Sequence, residues 1–466
     1  MAENVLPISS SRLTPGLPYG LTRRKLRFIG AIAVVSLVAF FILLKRHRKP
    51  PLYENFREVE RHLPHYDIYE QNTTIKYFWA AQLMHGSGWG NVMQDYVMMA
   101  LLAHAAGRSF VFADYVWNPD GSPYSHYNGK LIPSCIPLTA LVGGPMVGGP
   151  MDSGDDTPLS VNEHFFKKIC PNPTVIRVED VNTPNMRFSE TAPVTETFDT
   201  WVETIKAIDD PCLMLNPSSH HVFDNWIFGQ KKRMLPLWPT ITHSPILTRW
   251  DWSPLIHSAY SRNRHLFERF PSSRLTQFIG TPDLPGPEDP STAIKGLLAI
   301  HVRRGDFEEH CRTLAVWGAD WHAWNSFPEF IDQFEKPKDT GPEESTNIYL
   351  DHCYPSTQQI VDKVNRVRQE SQPTHDLKYL YIMTNGPATW VEELKIALAE
   401  GVAWESIKSS QDLDLTWEEN FVAHAVDMFV AQRAEMIIGN GWSSLTSNVV
   451  MLRMAHGLST DSNRFW

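Results

Sequence analysis

Five cysteines in 466 residues are too few for a disulfide scaffold, though enough for two bridges and one thiol. Basic residues are outnumbered: 42 Lys and Arg stand against 52 Asp and Glu, and the net charge of −10 excludes a generally basic nucleic-acid binder. There is no internal repeat and no low-complexity tract. With 42% apolar and 20% charged residues, a largely disordered chain is excluded as well. None of the 19 histidines forms a pair at metal-ligand spacing on one helix, and the adjacent His220 and His221 would point apart on a strand. Asp412-Leu413-Asp414 matches a metal-binding DxD pattern, but it lies just before a helix start and reads as a solvated lead-in, so no metal is expected. Long hydrophobic runs are missing too, with one exception. What is plentiful is proline (34) and tryptophan (16), which predicts a loop-rich chain with aromatic-lined surfaces. The length exceeds what one core usually organises, so two domains are expected.

The exception is residues 28–44, FIGAIAVVSLVAFFILL, which carry no charge. At about 1.5 Å per residue they span roughly 25 Å, a short membrane helix. Arg23, Arg24, Lys25 and Arg27 precede it, and Lys45, Arg46, Arg48 and Lys49 follow. The long polar lead and the basic run behind it do not resemble a signal-peptide cleavage site. The flanking charges balance, so the positive-inside rule does not orient the segment. A sequon at Asn72-Thr73-Thr74 and a span suited to a thin, early secretory membrane favour a lumenal C-terminal part. The expected layout is a cytosolic tail (1–27), an anchor (28–44), a stem (45–75) and a lumenal body in the Golgi or endoplasmic reticulum, as a single-pass type II protein.

The body begins with an apolar strand at 77–83, the glycine-rich turn His85-Gly86-Ser87-Gly88-Trp89-Gly90-Asn91, a helix at 92–106 and a strand at 109–112. Residues 113–290 are less legible, with a linker-like PDLPGPEDP at 282–290. Strands are expected at 296–302, 378–384, 402–407 and 435–438, and helices at 356–370, 388–400, 416–433 and 444–455. Thr416 and Glu419 form a capping box for the third of these helices. Near-continuous apolar strands alternating with helices imply a parallel, doubly wound sheet, which binds ligands at the carboxyl ends of its strands. The division expected is an N-terminal α/β, acceptor-side domain (76–290) and a C-terminal Rossmann-like domain (291–466).

Two places at those strand ends suit an anionic ligand. The first is His301-Val302-Arg303-Arg304-Gly305-Asp306-Phe307, where His301 and Arg303 project to one side. Guanidinium grips phosphate in a bidentate fork. A plain Arg304–Asp306 pair explains part of this run but not His301 and Arg303 together. The second is Ile438-Gly439-Asn440-Gly441-Trp442-Ser443-Ser444-Leu445-Thr446. Free N–H groups, a helix dipole and hydroxyls make a phosphate cradle there. An ordinary N-cap needs one hydroxyl, and the turn has several. Together the two places point to a diphosphate.

HVRRGDF, followed far downstream by AEMIIGNGWSSLT at 434–446, resembles the GDP-fucose-dependent fucosyltransferases, most closely the protein O-fucosyltransferase superfamily. Gly88-Trp89-Gly90-Asn91 is similar to that family's N-terminal glycine–asparagine motif. The HxRRxD element is shared by α1,2-, α1,6- and protein O-fucosyltransferases, so it marks the donor more than the acceptor. The resemblance implies an α/β, GT-B-like fold with two Rossmann-type domains facing a cleft, here behind one N-terminal transmembrane helix. It implies GDP-fucose as donor, no further cofactor, and a protein or glycan acceptor. By position, Arg303 would hold the β-phosphate and assist departure of GDP, and His301 and Asp427 would contact guanine or ribose. Ser443, Ser444 and Thr446 would hold phosphate oxygens. Gly90 and Asn91 would face the fucose, with Asn91 at the reaction centre.

Metal-free stabilisation of the departing diphosphate by cations and N–H dipoles is consistent with this. An inverting transfer also benefits from a base for the acceptor hydroxyl. The acid that some relatives carry in the N-terminal glycine motif is absent, since Gly88 and Gly90 occupy that region. The base is left unassigned, with Glu308 and Glu309 as candidates. The leading expectation is transfer to Ser or Thr of a protein. The alternatives are an α1,2- or α1,6-transferase acting on glycans, and an inactive, lectin-like or scaffold relative. Sequence order pairs Cys311 with Cys353 around a long loop, and Cys135 with Cys170, leaving Cys212 free. Trp317, Trp321, Trp324 and Phe327 on that loop form either an acceptor-side lid or a packed loop core.

Overall fold

The structure, a computed structural model, describes residues 49–69, 74–268, 289, 291–372 and 374–466. The expected anchor, the Asn72 sequon and nearly all of the 282–290 linker lie outside these residues. Among the described residues no helix is long and apolar enough to cross a membrane.

Pro50–Trp466 is one compact unit. It is built on two five-stranded sheets with every pairing parallel. The first holds β1 (Tyr77–Trp79), β2 (Ser109–Phe112), β3 (Val161–Asn162), β4 (Thr174–Ile176) and β5 (Cys212–Leu215), in the order β3-β2-β1-β5-β4. Its principal helices are α1 (Trp89–Ala105) and α2 (Val194–Ala207). After α3 (Pro254–Asn263) the chain enters the second sheet. This comprises β6 (Ile294–Val302), β7 (Tyr379–Thr384), β8 (Ser406–Ser409), β9 (Ala434–Gly439) and β10 (Asn463–Phe465), in the order β8-β7-β6-β9-β10. Between its strands run α4 (Phe307–Trp317), α5 (Pro342–Cys353), α6 (Thr357–Ser371), α7 (Ala388–Gly401), α8 (Ala423–Arg433) and α9 (Ser444–Ala455). The second order is that of a doubly wound sheet, and winding reverses between β6 and β9.

Each sheet has a cluster of its own, around Val111, Val161 and Phe165 in the first and Leu298, Ile300 and Val364 in the second, but the largest core is shared. One hydrophobic cluster runs through both, from Phe78 and Val97 to Ile437 and Val450. α3 precedes the expected boundary at 290 yet packs with the second half. The Asn263 amide donates to the Asp414 carbonyl (2.9 Å), Arg262 pairs with Glu419, and Trp252 Nε1 donates to Gln432 Oε1 (2.7 Å). The expected stem is also partly body. Helices at Glu54–Glu60 and His65–Tyr69 pack onto it, and the buried Tyr53 donates to the Glu418 carbonyl at 2.9 Å. Two charged residues of the expected stem pair with the body: half-buried Arg57 with Asp114, and buried Glu60 with Thr139.

Glu60 gives the body a pH dependence. It is buried and accepts from Thr139 Oγ1 (2.7 Å) and Asn162 Nδ2 (3.2 Å). Burial pushes its carboxyl up from 4.5 to about 7, outweighing the Thr139 bond. Between those values the native state holds a proton that the unfolded chain has released. Stability therefore falls as pH rises through the window, by roughly 1.4 kcal/mol per pH unit from this group. Denaturant midpoints at about pH 5 and pH 7.5 are expected to converge in Glu60→Gln. An unchanged gap would assign the dependence to other groups.

The disulfides are Cys311–Cys353 and Cys170–Cys212, and Cys135 is the free thiol. The first is as expected. The second corrects the Cys135–Cys170 pairing: Cys170 ends the helix Glu163–Ile169, which packs on the first sheet where Cys212 opens β5, so Cys170 pairs with the cysteine that follows it and not with the one before. Each bridge closes a 42-residue separation, for which chain entropy gives roughly 4 kcal/mol. In the native, non-reduced protein a thiol reagent should label Cys135 alone. Labelling of Cys212 would contradict the fold at β5. The segment between Cys311 and Cys353 is not all loop, since it contains most of α4 and all of α5. Trp321, Trp324 and Phe327 are buried packing there, whereas Trp317 is exposed, edge-on to Trp226 at 5.5 Å.

Candidate functional site

β6 and β9 are neighbours, so both places singled out in the sequence open at the same edge, where the winding of the second sheet reverses. His301 is buried at the end of β6, and its Nδ1 meets Thr446 Oγ1 at 2.8 Å. The same hydroxyl accepts the Asn440 N–H at 3.2 Å. Burial, then the Arg303 cation, pull His301 down to about 3, so its ring is neutral at working pH. Trp466 Nε1 holds the His301 carbonyl at 2.8 Å.

Arg303 follows, half-buried. Its guanidinium lies over the Phe307 ring at 4.6 Å, and its Nε is buried without a partner. Asp306 stands 3.8 Å away, too far for a good hydrogen bond. A cation desolvated this far and this poorly paired is poised for an external anion. Arg304 does something else. It donates to the carbonyls of Arg303 (2.9 Å) and Pro355 (2.6 Å) and stacks on Trp390 and Tyr354. The expected Arg304–Asp306 pair is therefore not formed.

The turn after β9 is clamped from beneath. Asn440 Nδ2 donates to the Cys353 carbonyl (2.7 Å), and the Gly441 carbonyl accepts from the His322 N–H and from Asn325 Nδ2, both at 2.9 Å. Gly441 lies so close on the Trp321 ring that no Cβ fits. Ser443 occupies the N-cap of α9 in extended conformation, but its side chain makes no capping bond. The ordinary-cap reading of this serine thus does not hold. The first-turn N–H groups lack a side-chain cap, and the dipole end and the hydroxyls of Ser443 and Ser444 stay available to a ligand.

α1 brings the N-terminal glycine motif to the same point. Asn448 Nδ2 on α9 donates to the Gly90 carbonyl at 2.7 Å, and a Cβ on Gly90 would stand 2.6 Å from Ser444 Oγ. The two helix N-termini therefore meet. Asn91, in the first turn of α1, donates from Nδ2 to Ser87 Oγ at 3.0 Å. The Tyr127 phenol, on a hairpin of the first half, is near enough to act on the Arg303 charge.

His301, Arg303, Ser443, Ser444, Thr446, Gly90 and Asn91 are thus brought together. Asp427 is one layer away on α8, accepting from Tyr381 Oη (2.6 Å) and Ser410 Oγ (2.8 Å), and burial raises it to about 6. Both carboxylate oxygens are engaged by protein donors. Glu308 and Glu309 open α4, where Glu308 pairs with Arg312 at 2.9 Å and Glu309 is exposed. Asp412 of the DxD pattern is held by Lys395 and Ser409, each at 2.8 Å. Among the described residues no group of three or more His, Cys, Asp or Glu is placed to hold a metal ion.

Two histidines were missed by sequence reasoning. Burial, then the Arg303 cation, lower the pKa of His310. Burial, then His310, lower His322 to about 4, and its Nδ1 is buried without a partner beside the Gly441 turn. Ligand spacing for metals was the wrong filter for them. No spacing signal marked them: His310 lies one turn into α4, which starts only at Phe307, and His322 lies beyond its end.

No protein-family model matches the sequence, and no curated protein matches it. Among solved structures, the chain is similar to POFUT1 in complex with GDP-fucose, with 13% identity over 84% of this chain and 98% of that one and a TM-score of 0.48. It is also similar to NodZ α-1,6-fucosyltransferase soaked with GDP-fucose (10% identity, 81% and 92% covered, TM-score 0.38). A third similarity is to an Arabidopsis thaliana FUT1 mutant in complex with GDP (13% identity, 90% and 76% covered, TM-score 0.34).

Proposed function

We propose that this chain is a GT-B-like fucosyltransferase that moves fucose from GDP-fucose to an acceptor hydroxyl, with inversion. The observation that carries this reading is the meeting of Arg303, neutral His301 and the uncapped start of α9 where the second sheet's winding reverses. A sugar nucleotide leaves as a diphosphate while the sugar becomes oxocarbenium-like. Fixed cations and N–H dipoles that need no reorganisation stabilise that charge. The specification of guanosine and fucose comes from the likeness of HVRRGDF and IGNGWSSLT to the fucosyltransferase motifs. In this reading Arg303 forks the β-phosphate, while Ser443, Ser444 and Thr446 with the α9 N–H groups hold the remaining oxygens. His301 presents its open ring nitrogen to the nucleoside, and Asn91 faces the sugar. Asp427 shapes the nucleoside side through Tyr381 and Ser410. The acceptor is the Ser or Thr hydroxyl of a protein, because the IGNxxSSxT element resembles the protein O-fucosyltransferase branch.

Residues 28–44 anchor the chain in a Golgi or endoplasmic reticulum membrane with its body lumenal. The two disulfides support an oxidising compartment. The full-length protein in detergent, given GDP-fucose, should release GDP, and GDP-mannose should not substitute. Failure both to bind GDP and to release it would sink the transferase reading. Alkaline carbonate should leave the protein in the membrane pellet, and its release to the supernatant would remove the anchor.

A further inference from the structure

We propose that His221, oriented by Asp95, is the base that takes the proton from the acceptor hydroxyl. This rests on the fucosyl-transfer reading. Asp95 is buried on α1, one helical turn after Asn91, and so lies on the same face as the residue nearest the expected reaction centre. Its Oδ2 accepts the Met84 N–H at 3.0 Å and stands 3.4 Å from His221 Nδ1. The Nδ1 edge of the imidazole is buried against Asp95, while the side chain as a whole is 31% exposed, so the edge bearing Nε2 faces outward.

The loop that carries His221 leaves the carboxyl end of β5, next to β1, where the winding of the first sheet reverses. It is pinned on both sides. Val222 and Phe223 are buried, the Val222 carbonyl accepts from Asn182 Nδ2 (3.0 Å), and the His220 N–H is held by Glu179 (2.7 Å). The ring is therefore preorganised. Its facing charges are Asp95 from α1 and Asp224 from its own loop, and the Asp95 interaction outweighs burial in raising its pKa above 6.5. An imidazole there is a better proton acceptor than a free one.

Placement matches the reaction. Inversion requires the entering oxygen to approach fucose C1 from the face opposite the diphosphate. The diphosphate side is built by β6, β9 and α9 of the second half, and His221 and Asp95 belong to the first half, joined to it at the α1–α9 junction. As the acceptor oxygen forms its bond to C1, its proton passes to His221 Nε2. The bond from C1 to the β-phosphate oxygen breaks with its electron pair going to GDP, and the imidazolium then returns the proton to water. Asp95 touches neither substrate and is a positioning residue.

The test uses the full-length chain and GDP-fucose, with water and then azide as nucleophile, azide having no proton to lose. In His221→Gln, GDP release to water should fall about 100-fold or more. GDP affinity should stay within about twofold, and azide should restore release to within about tenfold. Asp95→Asn should shift the rising limb of the pH–rate profile to lower pH, because the neighbouring carboxylate raises the imidazole. A wild-type rate to water in His221→Gln, or a loss that azide does not repair while GDP still binds, overturns the assignment. So does a wild type that binds GDP but turns over neither nucleophile. If His221→Gln no longer binds GDP, the profile of Asp95→Asn decides, and an unshifted limb overturns it. Absence of GDP binding by the wild type would instead overturn the transferase reading on which it rests.

Discussion

Arg303→Ala should release GDP from GDP-fucose about 10²–10³ times more slowly than the wild type, the range found when one fixed donor to a developing anion is removed. GDP binding should weaken by about tenfold or more, since a charge-assisted bond is worth roughly 1.5–3 kcal/mol. The reason lies in how the side chain is held. Its Nε is buried without a partner, and Asp306 is 3.8 Å away, so the guanidinium has been desolvated without full compensation. The fold carries that cost before any ligand arrives. The ligand-free Arg303→Ala protein should therefore be as stable as wild type or slightly more so, with the thermal midpoint measured alongside the kinetics. A matching fall in stability would make Arg303 a structural residue. Arg303→Lys keeps the charge but not the fork, and should recover only part of the rate. Unaltered GDP affinity in Arg303→Ala would move the diphosphate elsewhere.

Gly90→Ala should disrupt the junction of α1 with α9. Its Cβ would stand 2.6 Å from Ser444 Oγ and 2.7 Å from the Leu445 nitrogen. The serine hydroxyl can rotate away, but the Leu445 backbone is the first turn of α9 and moves only with the helix. Separating the helices would also stretch the bond from Asn448 to the Gly90 carbonyl. Overpacking of this kind costs about 1–3 kcal/mol. Because the same displacement shifts the α9 N-terminus, GDP affinity should fall with stability. Gly88→Ala is the control two residues away. Nothing lies within 4 Å of its Cβ and its φ is −62°, so stability and GDP binding should be unchanged. Equal effects at the two glycines would refute close approach of α1 to α9 as the cause.

The legible parts of the fold were those with a long, uniform signal. β6 and β7 are apolar runs bounded by polar or glycine-containing turns, and α9 was read with its observed limits, 444–455. α8 was read too long. The Thr416–Glu419 capping box forms, with the Glu419 N–H on Thr416 Oγ1 at 3.3 Å, but it starts only a short 3-10 turn before the helix proper at Ala423. α4 falls in a segment expected as loop, although Phe307, Cys311 and Leu314 repeat at helical spacing and are its buried face. Between residues 113 and 290 most elements are two to five residues long, too short for any periodicity to accumulate.

The sequence by itself determined the chemistry on offer: a guanidinium and an imidazole at one strand end, a hydroxyl-rich turn at another, glycines before the first helix, and one apolar segment near the start. Local patterning suffices for these because each is written within a dozen or so consecutive residues. Only the tertiary structure decided which of them meet. Gly90 and Asn448 are 358 positions apart, and His221 and Asp95 come from different elements of the first half. Such partners are selected by sheet order and helix packing, which depend on residues from both halves being buried together in one large core. The same cause explains the disulfide correction: packing of the helix Glu163–Ile169 on the first sheet brings Cys170 to Cys212 at the start of β5, and nothing in the spacing of five cysteines encodes that neighbour.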